Sequence, residues 1–216
     1  MGKRPKGTRR QEVSRTQPVS LEDAELIEQV KAGQTESYGR LVEKYQDRVF
    51  NACWRICGHL EDARDVTQEA FLKAFDNISS FRRQSGFYTW VFRVAVNLAL
   101  SHRRKARIRQ AISLDQPVDV AGSQASELAR QVRDAAAEDP AGVAGKVELQ
   151  GRVAGALQEL DDDYRAVVVL RDIEGLDYRE IGEILELPPG TVKSRLHRGR
   201  MALRDAVMPN LNGKQV

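Results

Sequence analysis

The chain contains few of the residues from which catalytic, metal and covalent sites are built. Only two cysteines and three histidines occur among its 216 residues, and His59, His102 and His197 are scattered along the chain. An enzyme would need a carboxylate cluster, a glycine-rich phosphate loop or a nucleophile beside a positioned base, and no such loop is present. The sequence therefore predicts no catalytic residue, metal, cofactor or small-molecule substrate, and an enzyme is a disfavoured alternative.

The two cysteines, Cys53 and Cys57, are four residues apart within an apolar helical pattern. Together with His59 they are too few for a structural zinc site, and two cysteines of one helix are poorly placed for a disulfide. A thiol switch is the other alternative. We interpret both cysteines as small core residues of a protein in a reducing compartment.

Long hydrophobic runs are also missing. A membrane helix needs roughly 20 apolar residues, whereas the most apolar stretch, residues 90–100, contains Arg93 and Asn97. The basic N-terminal segment is not followed by the apolar segment of a secretory signal. We therefore expect a cytoplasmic protein that does not itself insert into a membrane.

Runs of β-branched residues are scarce, and the one at residues 166–170 lies within a helical pattern. Nearly every periodic segment has helical spacing, which predicts an all-α fold. Ser20 is the expected N-cap of the first helix, and Gly33 and Gly58 are expected to end the first two. The predicted helices span residues 21–32, 35–57, 61–75, 87–107, 147–160, 164–173, 178–185 and 189–207.

The composition changes between the two groups of helices. From residue 108 to about residue 143, small and polar residues dominate and large hydrophobic residues are sparse, which is typical of a linker. Only a weak helix around residues 126–137 is expected there. We predict two small helical domains joined by a flexible linker. The expected boundaries are a disordered basic arm at 1–19, domains at 20–109 and 144–208, a linker at 110–143 and a disordered tail at 209–216.

The net charge of +3 is small, so any contact with nucleic acid must come from local clusters. Residues 1–17 carry six basic residues and one acidic residue, a net charge of +5. Two further basic clusters contain no acidic residue, and each either contacts phosphate or is only a solvated helix face. Their members are Arg103, Arg104, Lys105, Arg107 and Arg109, and Lys193, Arg195, Arg198, Arg200 and Arg204.

Residues 177–204 have the organisation of a helix-turn-helix. Asp177 is the expected N-cap of a short helix, Gly182 is small enough for a second helix to cross closely, and residues 187–190 form the turn. In the longer helix an apolar stripe is expected to be buried, so that Ser194, His197 and Arg198 face outward. A helix of this kind fits the DNA major groove, and a solvated surface helix is the alternative. The stripe consists of Val192, Leu196, Gly199 and Leu203.

Four segments together resemble the extracytoplasmic-function (ECF) sigma factors of the sigma-70 superfamily, typified by sigma-E. EGLDYREIG at 174–182 and GTVKSRLHRGR at 190–200 are similar to region 4.2. EDARDVTQEAFLKAF at 61–75 is similar to region 2.2, and FYTWVFRVAVNLA at 87–99 to regions 2.3 and 2.4. The resemblance covers roughly residues 21–109 and 147–207. It implies that the chain binds core RNA polymerase and directs promoter recognition, DNA melting and transcription initiation.

For the first domain, the resemblance implies docking on the β′ clamp of the polymerase and contact with the minus ten element. For the docking residues, the alternative is that they lie on an ordinary surface helix. For Arg93 and Asn97 of the minus ten set, the alternative is a pairing inside the domain. The docking set is Asp62, Asp65, Gln68, Glu69 and Phe71. The minus ten set is Arg82, Arg83, Gln84, Ser85, Thr89, Arg93, Asn97 and Arg104.

For the second domain, the resemblance implies binding of the minus thirty-five element and of the β flap of the polymerase. Within the longer helix, helical phase separates residues expected to contact bases from residues expected to contact phosphates. Thr191 lies in its opening turn. Lys193, Ser194, His197 and Arg198 are assigned to bases, and Arg171, Arg195 and Arg200 to phosphates. Such proteins are often held inactive by an anti-sigma factor at the inner membrane, so we expect that partner as well.

A two-component or quorum-type regulator is the main alternative, because helix-turn-helix motifs occur in many regulators. Such a protein would carry a receiver or ligand-binding domain ahead of the motif. Residues 20–109 lack the alternating strands and helices of a receiver domain. The sequence therefore favours a sigma factor.

Overall fold

A computed structural model describes residues 20–82, 86–112 and 140–208. Within these ranges the chain is helical and contains no strand, which confirms the all-α prediction. The first domain contains α1 (Leu21–Lys31), α2 (Glu36–Cys57), α3 (Leu60–Asp76), a 3₁₀ turn (Ile78–Ser80) and α4 (Phe87–Ile112). The second contains α5 (Pro140–Glu159), α6 (Asp162–Val168), a π-helical turn (Val169–Ile173), α7 (Tyr178–Leu185) and α8 (Pro189–Val207).

The first three helices of the first domain begin and end within one or two residues of the predicted positions. The Ser20 hydroxyl accepts a hydrogen bond from the Asp23 amide at 3.1 Å, which caps α1. Gly58 ends α2 in the left-handed conformation, with φ of 84°. The amphipathic α2, α3 and α4 pack against one another and bury their apolar faces. The result is a compact helical domain that exposes the polar face of α3.

The cysteines of α2 belong to this core. Cys53 and Cys57 are both free and buried, as expected of small core residues. Burial raises the pKa of each thiol to about 12, so neither is ionised near neutral pH. Across the described ranges, the metal-binding types of side chain form no cluster that could hold an ion.

Two helices are longer than the sequence pattern predicts. The fourth continues past Arg107 to Ile112, and the fifth begins at Pro140 rather than near Val147. Proline suits the first turn of a helix because its missing amide would have no intrahelical partner there. The weak helix expected at 126–137 lies outside the described residues. None of the helices described is both long and apolar enough to cross a membrane.

The two domains pack directly on one another. Helix α4 lies against α7, and α2 contacts α5, α6 and the π-helical turn. Arg165 of α6 is fully buried at this junction. Its guanidinium donates to the Leu160 carbonyl at 2.7 Å and, across the domain boundary, to the Ile56 carbonyl at 3.1 Å. The buried apolar residues of both domains form one continuous cluster.

Candidate polymerase and DNA interfaces

The outer face of α3 carries the residues assigned to polymerase docking. Asp65, Gln68 and Glu69 are exposed on it, and Glu69 pairs with Lys73 one turn later, at 2.7 Å. Asp62 is only partly exposed, with its Oδ2 atom 3.6 Å from Nδ1 of His102. These carboxylates give the face an acidic character that suits a basic partner.

A groove between α2 and α3 adds an apolar component to this face. It has a volume of about 610 Å³, and Phe71, assigned as the aromatic anchor, lines it while remaining largely buried. Leu72 also lines the groove, and 58% of its surface is exposed. The sequence analysis did not identify Leu72. A leucine at the edge of an apolar stripe has the same pattern as a core residue, so only its exposure distinguishes it.

The minus ten residues do not all reach the surface. Asn97 and Arg104 of α4 are exposed, and so is Arg82 before it. Thr89, in contrast, is 2% exposed, and its Oγ1 donates to Oε1 of Glu180 in the second domain at 3.3 Å. The remaining loop residues of the set, Arg83, Gln84 and Ser85, lie outside the described residues.

Arg93, one turn after Thr89, also faces the second domain. Its Nη2 atom lies 4.0 Å from Oε2 of Glu183, and its side chain is half-buried. The alternative of a pairing inside the first domain is therefore wrong for Arg93, because its carboxylate partner belongs to α7. Asn97 is exposed rather than paired inside the domain.

The basic cluster at the end of α4 is partly engaged in the same junction. Arg103 donates through Nε to Oδ1 of Asp162, and Nη1 of Arg107 donates to Oδ2 of the same residue at 3.1 Å. Burial acts to raise the pKa of Asp162, but the hydrogen bond and charge of Arg103 outweigh it and hold that pKa below its usual range. Arg104 and Lys105 remain exposed.

The helix-turn-helix has the geometry that its sequence indicates. The Asp177 carboxylate accepts from the amides of Arg179 and Glu180 at 2.8 Å, while the Glu180 carboxylate accepts from the Asp177 amide. This capping box confirms Asp177 as the N-cap of α7. Gly182 is required for a close approach, because a Cβ atom would lie 2.8 Å from the Leu187 carbonyl. The atom closest to Gly182 thus belongs to the turn between α7 and α8, and not to α8 itself, which the sequence analysis expected to cross here.

Helix α8 presents the predicted outer face to solvent. Lys193, Ser194, His197 and Arg198 are exposed, while Val192, Leu196 and Gly199 are buried against the domain. The Ser194 hydroxyl donates to the Thr191 carbonyl at 3.0 Å, and Thr191 itself is half-buried. The side chains of Lys193, His197 and Arg198 form no hydrogen bond or ion pair with another described residue, although their backbones belong to α8. Three basic or polar groups are therefore available to a ligand.

The three residues assigned to phosphate have partners within the second domain. Arg195 pairs with Asp163 at 2.7 Å. Arg200 forms a two-point contact with Asp172, and its Nε atom donates at 2.9 Å. Arg171 donates to the Leu176 carbonyl at 2.8 Å and lies over the ring of Tyr178. Each of the three guanidinium groups thus has a partner in its own domain.

Two family models match the chain, one in each domain. The model of sigma-70 region 2 matches residues 41–108, and the model of sigma-70 region 4 matches residues 150–203. The first match covers α3 and most of α2 and α4. The second covers the helix-turn-helix and the helices before it. The order along the chain agrees with the resemblance of the motifs.

Among solved structures, two share this arrangement of helices. One is the sigma factor RpoE of Bartonella quintana bound to the anti-sigma factor NepR, with a TM-score of 0.60 and 19% identity over 81% of this chain and 99% of that one. The other is CnrH bound to the cytosolic domain of CnrY, with a TM-score of 0.59 and 23% identity over 88% of this chain and 99% of that one. At these identities the likeness establishes the fold.

Relatives of higher identity establish the family. The ECF RNA polymerase sigma factor SigW of Bacillus subtilis is 38% identical over 82% of this chain and 92% of its own length. The ECF RNA polymerase sigma-E factor of Escherichia coli K12 is 35% identical over 88% of this chain and 96% of its own. With both domains matched in order along nearly the whole length of such relatives, the chain belongs to the ECF sigma factors of RNA polymerase.

Proposed function

We propose that this sigma factor reads the minus thirty-five element with the exposed face of α8 and the minus ten strand with the polar stripe of α4. The observation that carries the proposal is the outer face of α8. There Lys193, His197 and Arg198 project from a helix whose opposite face is fixed in the core. An α-helix of this kind fits the major groove, where lysine and arginine donate to guanine.

Within α8 and its surroundings, we assign different roles to the exposed and the paired residues. Lys193, Ser194, His197 and Arg198 contact bases, with Thr191 at the start of the helix. Arg171, Arg195 and Arg200 contact phosphates, and their carboxylate or carbonyl partners position them for this role. Base contacts discriminate between sequences, whereas phosphate contacts add affinity that all sequences share.

The test is a binding series with full-length variants in complex with core polymerase and a panel of minus thirty-five sequences. Each good base contact is worth about 1–3 kcal/mol of discrimination, or roughly tenfold or more per base pair. Lys193→Ala and Arg198→Ala should therefore flatten the ranking of the panel. Arg200→Ala, the matched control, should weaken every member about equally and lessen the salt dependence. An unchanged ranking with Lys193→Ala and Arg198→Ala would rule out base reading by this face.

For the first domain, we propose that α3 docks on core polymerase through its acidic face and the adjoining groove. Asp62, Asp65, Gln68 and Glu69 supply the polar contacts, and Phe71 contributes to the groove with Leu72 beside it. Glu69→Lys should weaken core binding about tenfold or more, because it places a cation against a basic partner. Glu25→Lys, at an exposed position on α1, is the control and should leave core binding unchanged. Equal core affinity for the two variants would contradict the docking assignment.

We propose that the minus ten set contacts the promoter strand that is displaced during melting. Arg82, Arg83, Gln84 and Ser85 would form the loop that captures an unstacked base, and Thr89, Arg93, Asn97 and Arg104 would follow the displaced strand along α4. We also place the domain boundaries at 19–20, 109–110, 143–144 and 208–209. The parts of core polymerase that we expect the chain to contact are the β′ clamp and the β flap.

We also propose that the chain acts in the cytoplasm, has no enzymatic activity of its own and is controlled by an anti-sigma factor. One solved neighbour is a sigma factor in complex with an anti-sigma factor, which supports the last part. Transcription in vitro tests the central part. Core polymerase with this chain should initiate at a defined promoter, and core polymerase alone should not. Sequencing the RNA 5′ ends after overexpression would identify the promoters.

A further inference from the structure

We propose that α1 positions the entry to the minus ten loop, and that Lys31 is a positioning residue for Arg82. The inference rests on the proposed role of Arg82 in contacting the minus ten element. Helix α1 carries no residue of the docking set or of either DNA-binding set, yet it contacts both α2 and the 3₁₀ turn that leads to Arg82. The contact with the segment after that turn is made by the last residue of α1.

This contact joins two residues that are 50 positions apart along the chain. Nζ of Lys31 donates to the backbone carbonyl of Phe81 at 3.1 Å, and the same ammonium group lies 3.6 Å from Oε1 of Glu28, one turn earlier on α1. The Lys31 side chain is 26% exposed, so water screens the hydrogen bond less than it would at an open surface. A charged donor also forms a stronger hydrogen bond with a carbonyl than a neutral donor does. The backbone at Phe81 is therefore tied to α1.

The Phe81 side chain fixes the same residue through packing. It is 4% exposed, and its ring centroid lies 5.3 Å from that of Trp90 and 6.1 Å from that of Phe87. Arg82, the next residue, is exposed. The chain thus leaves an anchored residue and immediately presents the first guanidinium group of the minus ten set. Where that group lies depends on where Phe81 is held.

Helix α1 is itself firmly attached to the domain. Asp23, in its first turn, is 3% exposed, and its carboxylate accepts from the Tyr45 hydroxyl at 2.5 Å and from Nζ of Lys44 at 2.6 Å. Burial raises the pKa of Tyr45 to about 12, so this hydroxyl keeps its proton and remains a donor. The Tyr45 ring in turn lies 5.8 Å from the ring of Phe87, the first residue of α4. Contacts from α1 therefore lead to the segments on both sides of the minus ten loop.

A positioning role follows from what the capture of a base requires. Extruding a base from the stack costs unstacking energy, which a protein recovers through contacts with the extruded base. Such contacts need surrounding residues that hold the site in its productive geometry. Lys31 acts on Arg82 through the Phe81 backbone and need not touch DNA. Loss of its hydrogen bond should therefore impair melting and minus ten discrimination, and should leave the minus thirty-five contacts of α8 unchanged.

The test uses holoenzyme assembled from core polymerase and full-length variants, on a promoter identified from RNA 5′ ends. Lys31→Met removes the donor and keeps an unbranched side chain that favours helix. Arg40→Met, at an exposed position of α2, also removes one positive charge and is the matched control. A fluorescent base analogue in the minus ten element reports melting. We expect Lys31→Met to melt the promoter about tenfold more slowly than Arg40→Met, the size expected when a hydrogen bond to a charged group is lost. Lys31→Arg retains a charged donor and should restore most of the rate.

The ranking of promoter variants distinguishes positioning from a contribution to stability alone. Lys31→Met should flatten the ranking of minus ten variants and leave that of minus thirty-five variants unchanged. A variant that only unfolds more easily would lose activity on all promoters and keep both rankings. Equal melting rates for Lys31→Met and Arg40→Met, or an unchanged minus ten ranking in Lys31→Met, would overturn the proposal.

A second measurement needs no polymerase. The chain has two tryptophans, of which Trp90 lies beside Phe81 and Trp54 stacks on Phe50 at 6.5 Å between centroids. In NMR spectra of the nitrogen-labelled full chain, Lys31→Met should shift the indole signal of Trp90 and leave that of Trp54 in place. An unmoved Trp90 signal would contradict the anchoring of Phe81. If wild-type holoenzyme melted no promoter, the proposed function would fail and the role in melting with it, while the Trp90 signal would report the anchor separately.

Discussion

Helices α4 and α8 carry similar donors but present them differently. Both have an apolar face fixed in a core and a face rich in arginine and hydroxyl groups. On α8 the outer face is exposed, with Ser194 and Arg198 open to solvent. On α4 the corresponding Thr89 is buried, and Arg93 lies against a carboxylate of the other domain. Two helices with the same kind of pattern thus differ in what their polar faces contact.

This difference shows that a basic, amphipathic helix does not by itself define an available DNA-binding surface. The pattern specifies which face is buried in the helix's own domain. It does not specify whether another part of the chain covers the opposite face. In this sigma factor that part includes carboxylates that follow their α4 partners by 59 residues at Arg103 and Asp162 and by 91 residues at Thr89 and Glu180. Variants can test each side of the comparison separately.

The largest effect is expected from the buried arginine on which the junction rests. Arg165→Leu removes donors from the Leu160 and Ile56 carbonyls and leaves Asp162 without one of its three partners. Removing one member of a buried charged network typically costs about 3–5 kcal/mol. Urea unfolding should show a loss of this size. Arg204→Leu, at an exposed position of α8, is the control and should change stability by less than about 0.5 kcal/mol. Similar values for the two would contradict the structural role.

An intermediate effect is expected where α8 packs against α6 within the second domain. A Cβ atom at Gly199 would lie 2.8 Å from Cγ2 of Val168 and 3.2 Å from the Tyr164 carbonyl. Gly199→Ala should therefore cost about 1–3 kcal/mol through overpacking. Gly155→Ala, at a helical glycine of α5 with open space around it, should instead stabilise by about 0.5–1 kcal/mol. Thermal unfolding of both variants distinguishes them, and a gain for Gly199→Ala would show that α8 is loosely seated.

The smallest effect concerns the far end of α4 and depends on pH. The pKa of Asp162 is lower in the folded protein than in the unfolded chain, so its stabilising contribution is present above the unfolded value near 3.9 and is lost as pH falls through the folded value. Arg103 and Arg107 from α4 and Arg165 from α6 face this carboxylate. Asp162→Asn should reduce stability at neutral pH and flatten its decline below about pH 4. The measurement is the unfolding free energy of the wild type and of Asp162→Asn across this pH range. An equally steep decline in the two proteins would contradict the stabilising role of Asp162.

Much of the fold was predictable because it depends on local signals. The apolar periodicity, the Ser20 and Asp177 caps and the Gly58 stop locate most helix ends to within a few residues, the exceptions being the end of α4 and the start of α5. The exposed face of α8 follows from helical phase in the same way. These features depend on neighbours within a few residues along the chain.

The closed junction could not be predicted for a physical reason. Arg103 lies in a basic run that has the pattern of a solvated face, and Asp162 lies in an acidic run with the same pattern. Their contact requires two domains to meet, and no periodicity within either helix records that meeting. The exposure of Leu72 and the burial of Thr89 are results of packing in the same sense.

The most direct test of the account compares the reactivity of one thiol on each DNA-reading face. Thr89→Cys and Ser194→Cys are small, nearly matched changes, and the native cysteines provide a low background because burial raises the pKa of both to about 12. We predict that the thiol from Ser194→Cys reacts with a maleimide at least about tenfold faster than that from Thr89→Cys, because reaction at a buried site requires prior opening. Adding Glu174→Lys, which places a cation beside Arg48 across the domain boundary, should accelerate only the Thr89→Cys reaction. Equal rates at the two positions, with or without Glu174→Lys, would contradict the claim that the second domain covers Thr89 of α4 and leaves Ser194 of α8 exposed.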